Sequence, residues 1–321
     1  MSGADRAQLL FVHGIGGVRD TAESRREWLV ALAEGARRAG HADAVSGLTQ
    51  DWLAETRFAD YSRLFLDPGA QGDNGRLEEQ SDFLVALVAE MITELSAQAH
   101  DSGDQQTLSV LEAARRKLPG ATGEPQGAPE VVRVLGRALT TFLQIPGLRK
   151  SAQWVSGRPL LGQLAQVGRY LGRGEPDDAG MALDARIRRC VLHGVDPSRP
   201  LVVVAHSLGT VVAYEALHQY PGQVALLVTL GSPLATGAAV LQRVRPRPAR
   251  TPEAVERWIN FWDRDDIVVA RPKMHKWVLP SRTGVVPVTS RIDSDGVWVH
   301  TATKYLCQPA VAGPIVEALK K

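Results

Sequence analysis

Residues 201 to 211 read LVVVAHSLGTV, five apolar residues followed by His206, Ser207 and a helical run that extends to Gln219. An apolar run of this length, ended by a turn into a helix, is the form of a strand buried on both faces in a parallel sheet. Ala205 and Gly209 stand two places either side of Ser207 and are both small. The helix can therefore leave the strand sharply and expose the Ser207 hydroxyl at the tip. A hydroxyl held there has room for a base beside it, and the N–H of Leu208, at the helix N-terminus, can donate to an oxyanion formed on an attacked carbonyl. This is the nucleophile-elbow pattern with Ala in the place of the first Gly. The competing reading of Ser207 is an ordinary helix N-cap.

The rest of the chain supplies the context such a turn needs. A strand at Leu9 to His13 leads through a glycine-rich turn to a helix near Glu23 to Ala39, and a second extended segment runs from Thr56 to Leu66. Beyond the turn-rich DPGAQGDNG, residues 76 to 176 carry helical periodicity with no strand pattern, interrupted by LPGATGEPQGAPE. The alternation then resumes: a helix near Ala182 to His193, the strand at 201 to 205, the helix from Leu208, and a strand at 224 to 230. A strand at 257 to 262, another near Val285 to Ile292 and a closing helix near Pro309 to Leu319 complete it. The expectation is an α/β fold with a mostly parallel sheet, its core in residues 1–70 and 179–321 and a helical insertion at 71–178.

The loop after the first strand, LLFVHGIGG, offers a second oxyanion donor, the Ile15 N–H, with Gly14, Gly16 and Gly17 giving the backbone its freedom and His13 holding the loop. A phosphate-binding turn is the other reading of such glycines, but Arg19 stands where the third glycine of G-x-G-x-x-G belongs.

Together VHGIGG and AHSLG resemble the small bacterial lipases of the α/β-hydrolase superfamily whose elbow begins with Ala, and TLGSPL at 229–234 is similar to a segment after the next strand in many lipases. The resemblance covers the two ends of the chain and implies the α/β-hydrolase fold, a Ser-His-Asp triad, and an oxyanion hole formed by Ile15 and Leu208. In WINFWDRDDIVVA the run DDIVV is similar to the superfamily's acid loop, which selects Asp266, with Asp263 as the alternative acid. Chain order in this fold is Ser, acid, His. Of the eight histidines only His218, His275 and His300 follow Ser207. His218 lies in the helix leaving the elbow, and the nine residues from Asp266 to His275 are too few for the last strand. The thirty-four to His300 hold it, so His300 is the expected base.

These residues imply hydrolysis of a carboxylic ester with an apolar acyl group through an acyl-enzyme intermediate, with no cofactor and no metal. Thioesterase, acyltransferase and amidase chemistry use the same triad, and a ligand receptor or scaffold on a hydrolase fold is the non-enzymatic alternative. Residues 131 to 173 hold Arg133, Arg137, Arg149, Lys150, Arg158, Arg169 and Arg173 with no Asp or Glu, a local charge of +7. Interleaved with apolar residues, they suit a lid over an acyl pocket and peripheral contact with an anionic membrane. Against that stretch, 37 basic and 35 acidic residues overall argue against a nucleic-acid partner. With two cysteines, no leader pattern and no apolar run of ~18 residues, a cytoplasmic protein is expected. Nothing in the sequence reads on oligomeric state.

Overall fold

The computed structural model describes residues 6–66, 77–118, 127–142, 144–145, 157–263, 266, 268–269, 273–294 and 300–321. The chain begins with β1 (Ala7–Val12), α1 (Thr21–Arg38), α2 (Val45–Thr49) and β2 (Ala54–Ala59). Four helices follow without a described strand between them: α3 (Ser81–Ser102), α4 (Gln105–Arg115), α5 (Ala128–Phe142) and α6 (Gly157–Gly172). Then come α7 (Leu183–Leu192), β3 (Leu201–His206), α8 (Leu208–Leu217), β4 (Val224–Leu230) and α9 (Gly237–Leu241). β5 (Trp258–Asp263), β6 (Pro287–Ile292), α10 (Ala302–Leu306) and α11 (Pro309–Leu319) close the chain.

The six strands form one all-parallel sheet in the order β2-β1-β3-β4-β5-β6. Period-two alternation splits its side chains between two layers. Leu9, Phe11, Val202 and Val204 pack with Trp28 and Leu32 of α1 and with Ile315 of α11. Leu10, Val12, Val203 and Ala205 pack on the opposite side with α7, α8 and the apolar faces of α3 to α6. Every residue of β3 is buried, because both its faces meet helices.

The order places β1 beside β3, with Val12 opposite Ala205. The chain passes to one side of β1 through β2 and to the other through β3, so the loops leaving β1 and β3 diverge at a switch point. In open parallel sheets, ligand sites form in the crevice at the carboxyl ends of the strands at that point. The glycine-rich loop and Ser207 are thus brought together by sheet topology.

The strand expectation at Thr56 to Leu66 is corrected in its second half. Asp60 Oδ1 accepts from the Ser62 N–H at 2.9 Å and the Ser62 hydroxyl at 2.6 Å, and this local capture curls residues 62–65 into a 3-10 turn. Short helices α2, α9 and α10 were not anticipated, as five-residue segments are too short to carry a periodic signal.

The arginines of the helical segment divide. Arg169 donates to Glu175 and to the Phe65 carbonyl, and Arg173 to Asp184 and Glu215. Arg133 pairs with Glu130. Arg149 and Lys150 lie outside the described residues. Both cysteines are free thiols, and among the described residues no helix is long and apolar enough to cross a membrane.

Candidate active site

Ser207 sits between the last residue of β3 and the first of α8 with φ 54° and ψ −130°. A non-glycine residue in that region costs on the order of 1–3 kcal/mol, which the surrounding packing must supply. Gly209 is part of that packing. A Cβ there would lie 2.2 Å from the His13 carbonyl oxygen and 2.4 Å from that of Val12, so the first turn of α8 rests directly on the end of β1. The small residue after the elbow serves the neighbouring strand as well as its own. Gly14, on the facing loop, approaches the Ser207 side chain so closely that a Cβ would come within 2.5 Å of Ser207 Cβ.

Ser207 Oγ lies 2.9 Å from His300 Nε2, and His300 Nδ1 lies 2.8 Å from Asp266 Oδ2. All three residues are buried. An ionised carboxylate can only accept, so Nδ1 carries the proton, which leaves Nε2 with a lone pair facing the Ser207 hydroxyl. Asp266 is itself fixed on both oxygens. Oδ1 accepts from the Val268 N–H at 3.0 Å, and Oδ2 accepts a second hydrogen bond from Tyr305 Oη at 2.7 Å. Burial and the adjacent carboxylate hold the Tyr305 phenol well above its ordinary range, so it stays a donor.

Asp263, the alternative acid, faces elsewhere: its Oδ2 accepts from the Ser294 N–H at 2.7 Å and the Ser294 hydroxyl at 2.6 Å. Its backbone N–H donates to Tyr305 Oη at 3.1 Å. His218 caps α8 and faces the Arg250 carbonyl, and His275 lies in a 3-10 turn before β6.

Of the two expected oxyanion donors, Ile15 lines the cavity at Ser207 and Leu208 follows Ser207 in the chain. Leu208 is the first residue of α8, so its N–H has no partner within the helix. The Ile15 N–H belongs to the peptide whose carbonyl, that of Gly14, accepts from His13 Nδ1 at 2.6 Å. In a trans peptide the two groups point opposite ways, so the imidazole aims the N–H away from itself. His13 is in turn wedged between Phe58 and Tyr61, with ring centroids 5.7 and 4.1 Å away, and its Nε2 accepts from the Tyr61 N–H at 3.2 Å. Burial lowers its pKa, consistent with this neutral, loop-holding role.

Residues outside the expected set complete the surroundings. Gly231 in TLGSPL has φ 55°, and a Cβ there would lie 2.6 Å from Asp266 Oδ2 and 3.1 Å from His300 Nδ1, so only glycine admits these two side chains together. Ser232 ties that loop to α8 through Thr210 Oγ1 at 2.7 Å. His206 packs against His300 with ring centroids 4.7 Å apart, its Nε2 has no hydrogen-bond partner among the described residues, and burial pushes its pKa well below 6.5.

Leu87 and Met91 of α3 and Leu164 and Val167 of α6 close over Ser207, leaving a cavity of about 10 Å³, room for roughly one water. Among the described residues no group of three or more His, Cys, Asp or Glu side chains is arranged to hold a metal ion. No protein-family model, curated protein or solved structure matches this chain.

Proposed function

We propose that this chain is a serine hydrolase of α/β-hydrolase architecture that cleaves a carboxylic ester with an apolar acyl group. The observation that carries the reading is the unbroken hydrogen-bonded series Asp266–His300–Ser207, joined at a serine held in a strained turn. His300 Nε2 takes the Ser207 proton as Oγ attacks the ester carbonyl. The oxyanion that forms is stabilised by the N–H groups of Ile15 and Leu208, and Asp266 stabilises the imidazolium. The same imidazolium then protonates the leaving alkoxide, giving an acyl-enzyme and an alcohol. Water, deprotonated by His300, releases the carboxylic acid and restores Ser207.

The apolar lining of the cavity supports an apolar acyl group, and its small volume supports a role for α3 and α6 as a cap that moves to admit it. A fluorophosphonate probe tests the reading: the folded wild type is expected to be labelled, and Ser207→Ala is not. An unlabelled wild type overturns the hydrolase assignment, and equal labelling of both proteins moves the nucleophile elsewhere.

A further inference from the structure

We propose that Gln166, on α6 of the inserted helical segment, is a positioning residue for the oxyanion loop, so that the Ile15 N–H is aligned only while α6 is docked over Ser207. This rests on the hydrolase reading above. The Gly16 N–H donates to Gln166 Oε1 at 3.1 Å, and Gln166 Nε2 donates to the Gly16 carbonyl at 3.0 Å. One planar amide therefore grips both polar groups of a residue 150 positions away. Gly16 needs such a grip, because at φ 147° it occupies a region that glycine alone enters freely and its own backbone does not lock the loop.

The Gly16 N–H shares a peptide unit with the Ile15 carbonyl, which accepts from Arg19 Nη2 at 3.0 Å. That unit is thus held at one end by Arg19 of the same loop and at the other by the inserted helix. The preceding unit, which carries the Ile15 N–H, is anchored through its carbonyl by His13. Release of Gln166 leaves that neighbouring unit held by Arg19 at its carbonyl end only, which loosens the loop and lets the Ile15 N–H shift from its aligned position.

Leu164 and Val167 of the same helix line the cavity at Ser207. A substrate that enters by lifting α6 must break the Gln166 contacts, and the oxyanion loop is re-formed only when α6 settles back over the acyl group. Catalysis therefore selects acyl groups over which α6 can close, while groups that hold it open bind without efficient turnover.

The test is Gln166→Met, which keeps the side chain's length and removes both hydrogen bonds. Its kcat on a short-chain ester is expected to fall about 10- to 100-fold, short of the 10²–10³ for outright loss of an oxyanion donor, with KM nearly unchanged. The inhibition constant of a trifluoromethyl ketone, whose hemiketal oxyanion needs the same donors, should rise by the same factor. Gln166→Glu, which keeps only the bond from the Gly16 N–H, is expected to lie between wild type and Gln166→Met. Wild-type kcat and inhibition in either folded variant would overturn the role. Fluorophosphonate labelling of the wild type separates the two readings: labelling with an indifferent Gln166 removes this inference alone, and no labelling removes both.

Discussion

Tyr305 Oη donates to Asp266 Oδ2 at 2.7 Å, onto the same oxygen that accepts from His300 Nδ1, while accepting from the Asp263 N–H at 3.1 Å. One phenol thus links the end of β5 to the carboxylate that orients the imidazole. In Tyr305→Phe that link is lost, but the Val268 N–H and His300 still hold Asp266. A bond to a charged group is worth about 1.5–3 kcal/mol, so chemical denaturation should show a loss of that order. The remaining contacts should limit the fall in kcat to about tenfold.

The two aspartates should separate cleanly by kinetics. Asp266→Asn leaves His300 Nδ1 facing an amide and favours the wrong tautomer, so kcat is expected to drop by up to about 10⁴-fold, as in the serine protease case. Asp263→Asn disturbs the turn anchored at Ser294 and should cost less than about tenfold in rate. A steady-state comparison on one activated ester decides it, and the reverse order would make Asp263 the acid.

The legible part of this chain is the part whose physics is local. A strand buried on both faces must be apolar throughout, which makes β3 and β4 plain, and the small residues around Ser207 answer a steric demand within five positions of the chain. His300 followed from chain order because only three histidines lie beyond Ser207. Gly231, by contrast, is required by side chains that arrive from loops after β5 and β6, and no local pattern announces that approach. Tyr305 and Gln166 act over 39 and 150 positions, with partners fixed only by the fold. The basic excess at 131 to 173 is smaller in the fold than within the window. Glu130 and Glu175 lie just outside that window, and they pair with Arg133 and Arg169. Three of the seven cations are thus neutralised by acids flanking the window or, for Arg173, by Asp184 and Glu215 farther along.

Glu215 shows why Arg173 belongs to the interior. Its carboxylate, buried on α8, accepts from Tyr170 Oη at 2.8 Å, Arg173 Nη2 at 2.6 Å and the Arg245 N–H at 2.8 Å. Helix α6 ends on this group, which ties its last turn to α8. Glu215→Ala would leave Arg173 and Arg188 to share the single carboxylate of Asp184 and is expected to destabilise the fold by about 3–5 kcal/mol. Glu215→Gln should lose less, since the amide oxygen still accepts. Urea unfolding of both variants checks this, and equal stability of Glu215→Ala and wild type would mean that Glu215 does not anchor α6 to α8.

His206 gives the fold a pH dependence whose sign can be worked out. Burial and the neighbouring His300 keep its ring neutral in the folded chain, with a pKa well below 6.5, whereas the unfolded chain takes up the proton near that value. Below about pH 6.5 the unfolded state therefore binds more protons, and stability falls as pH falls. For a ring that stays neutral in the fold, the loss at about pH 5.5 is about 1.4 kcal/mol. Buried His13, lowered in the same direction, adds to the slope. His206→Phe keeps a ring against Trp28, His300 and Tyr305 and sacrifices no bond at Nε2, which has none among the described residues. Denaturant midpoints measured between about pH 8 and about pH 5 should thus fall more gently for His206→Phe than for the wild type, with His13 and His218, both lowered by burial, contributing to the slope that remains. Parallel slopes would mean that His206 takes up its proton in the folded state at the ordinary pH, which would place a charged ring beside His300 and work against the imidazolium that the proposed reaction requires.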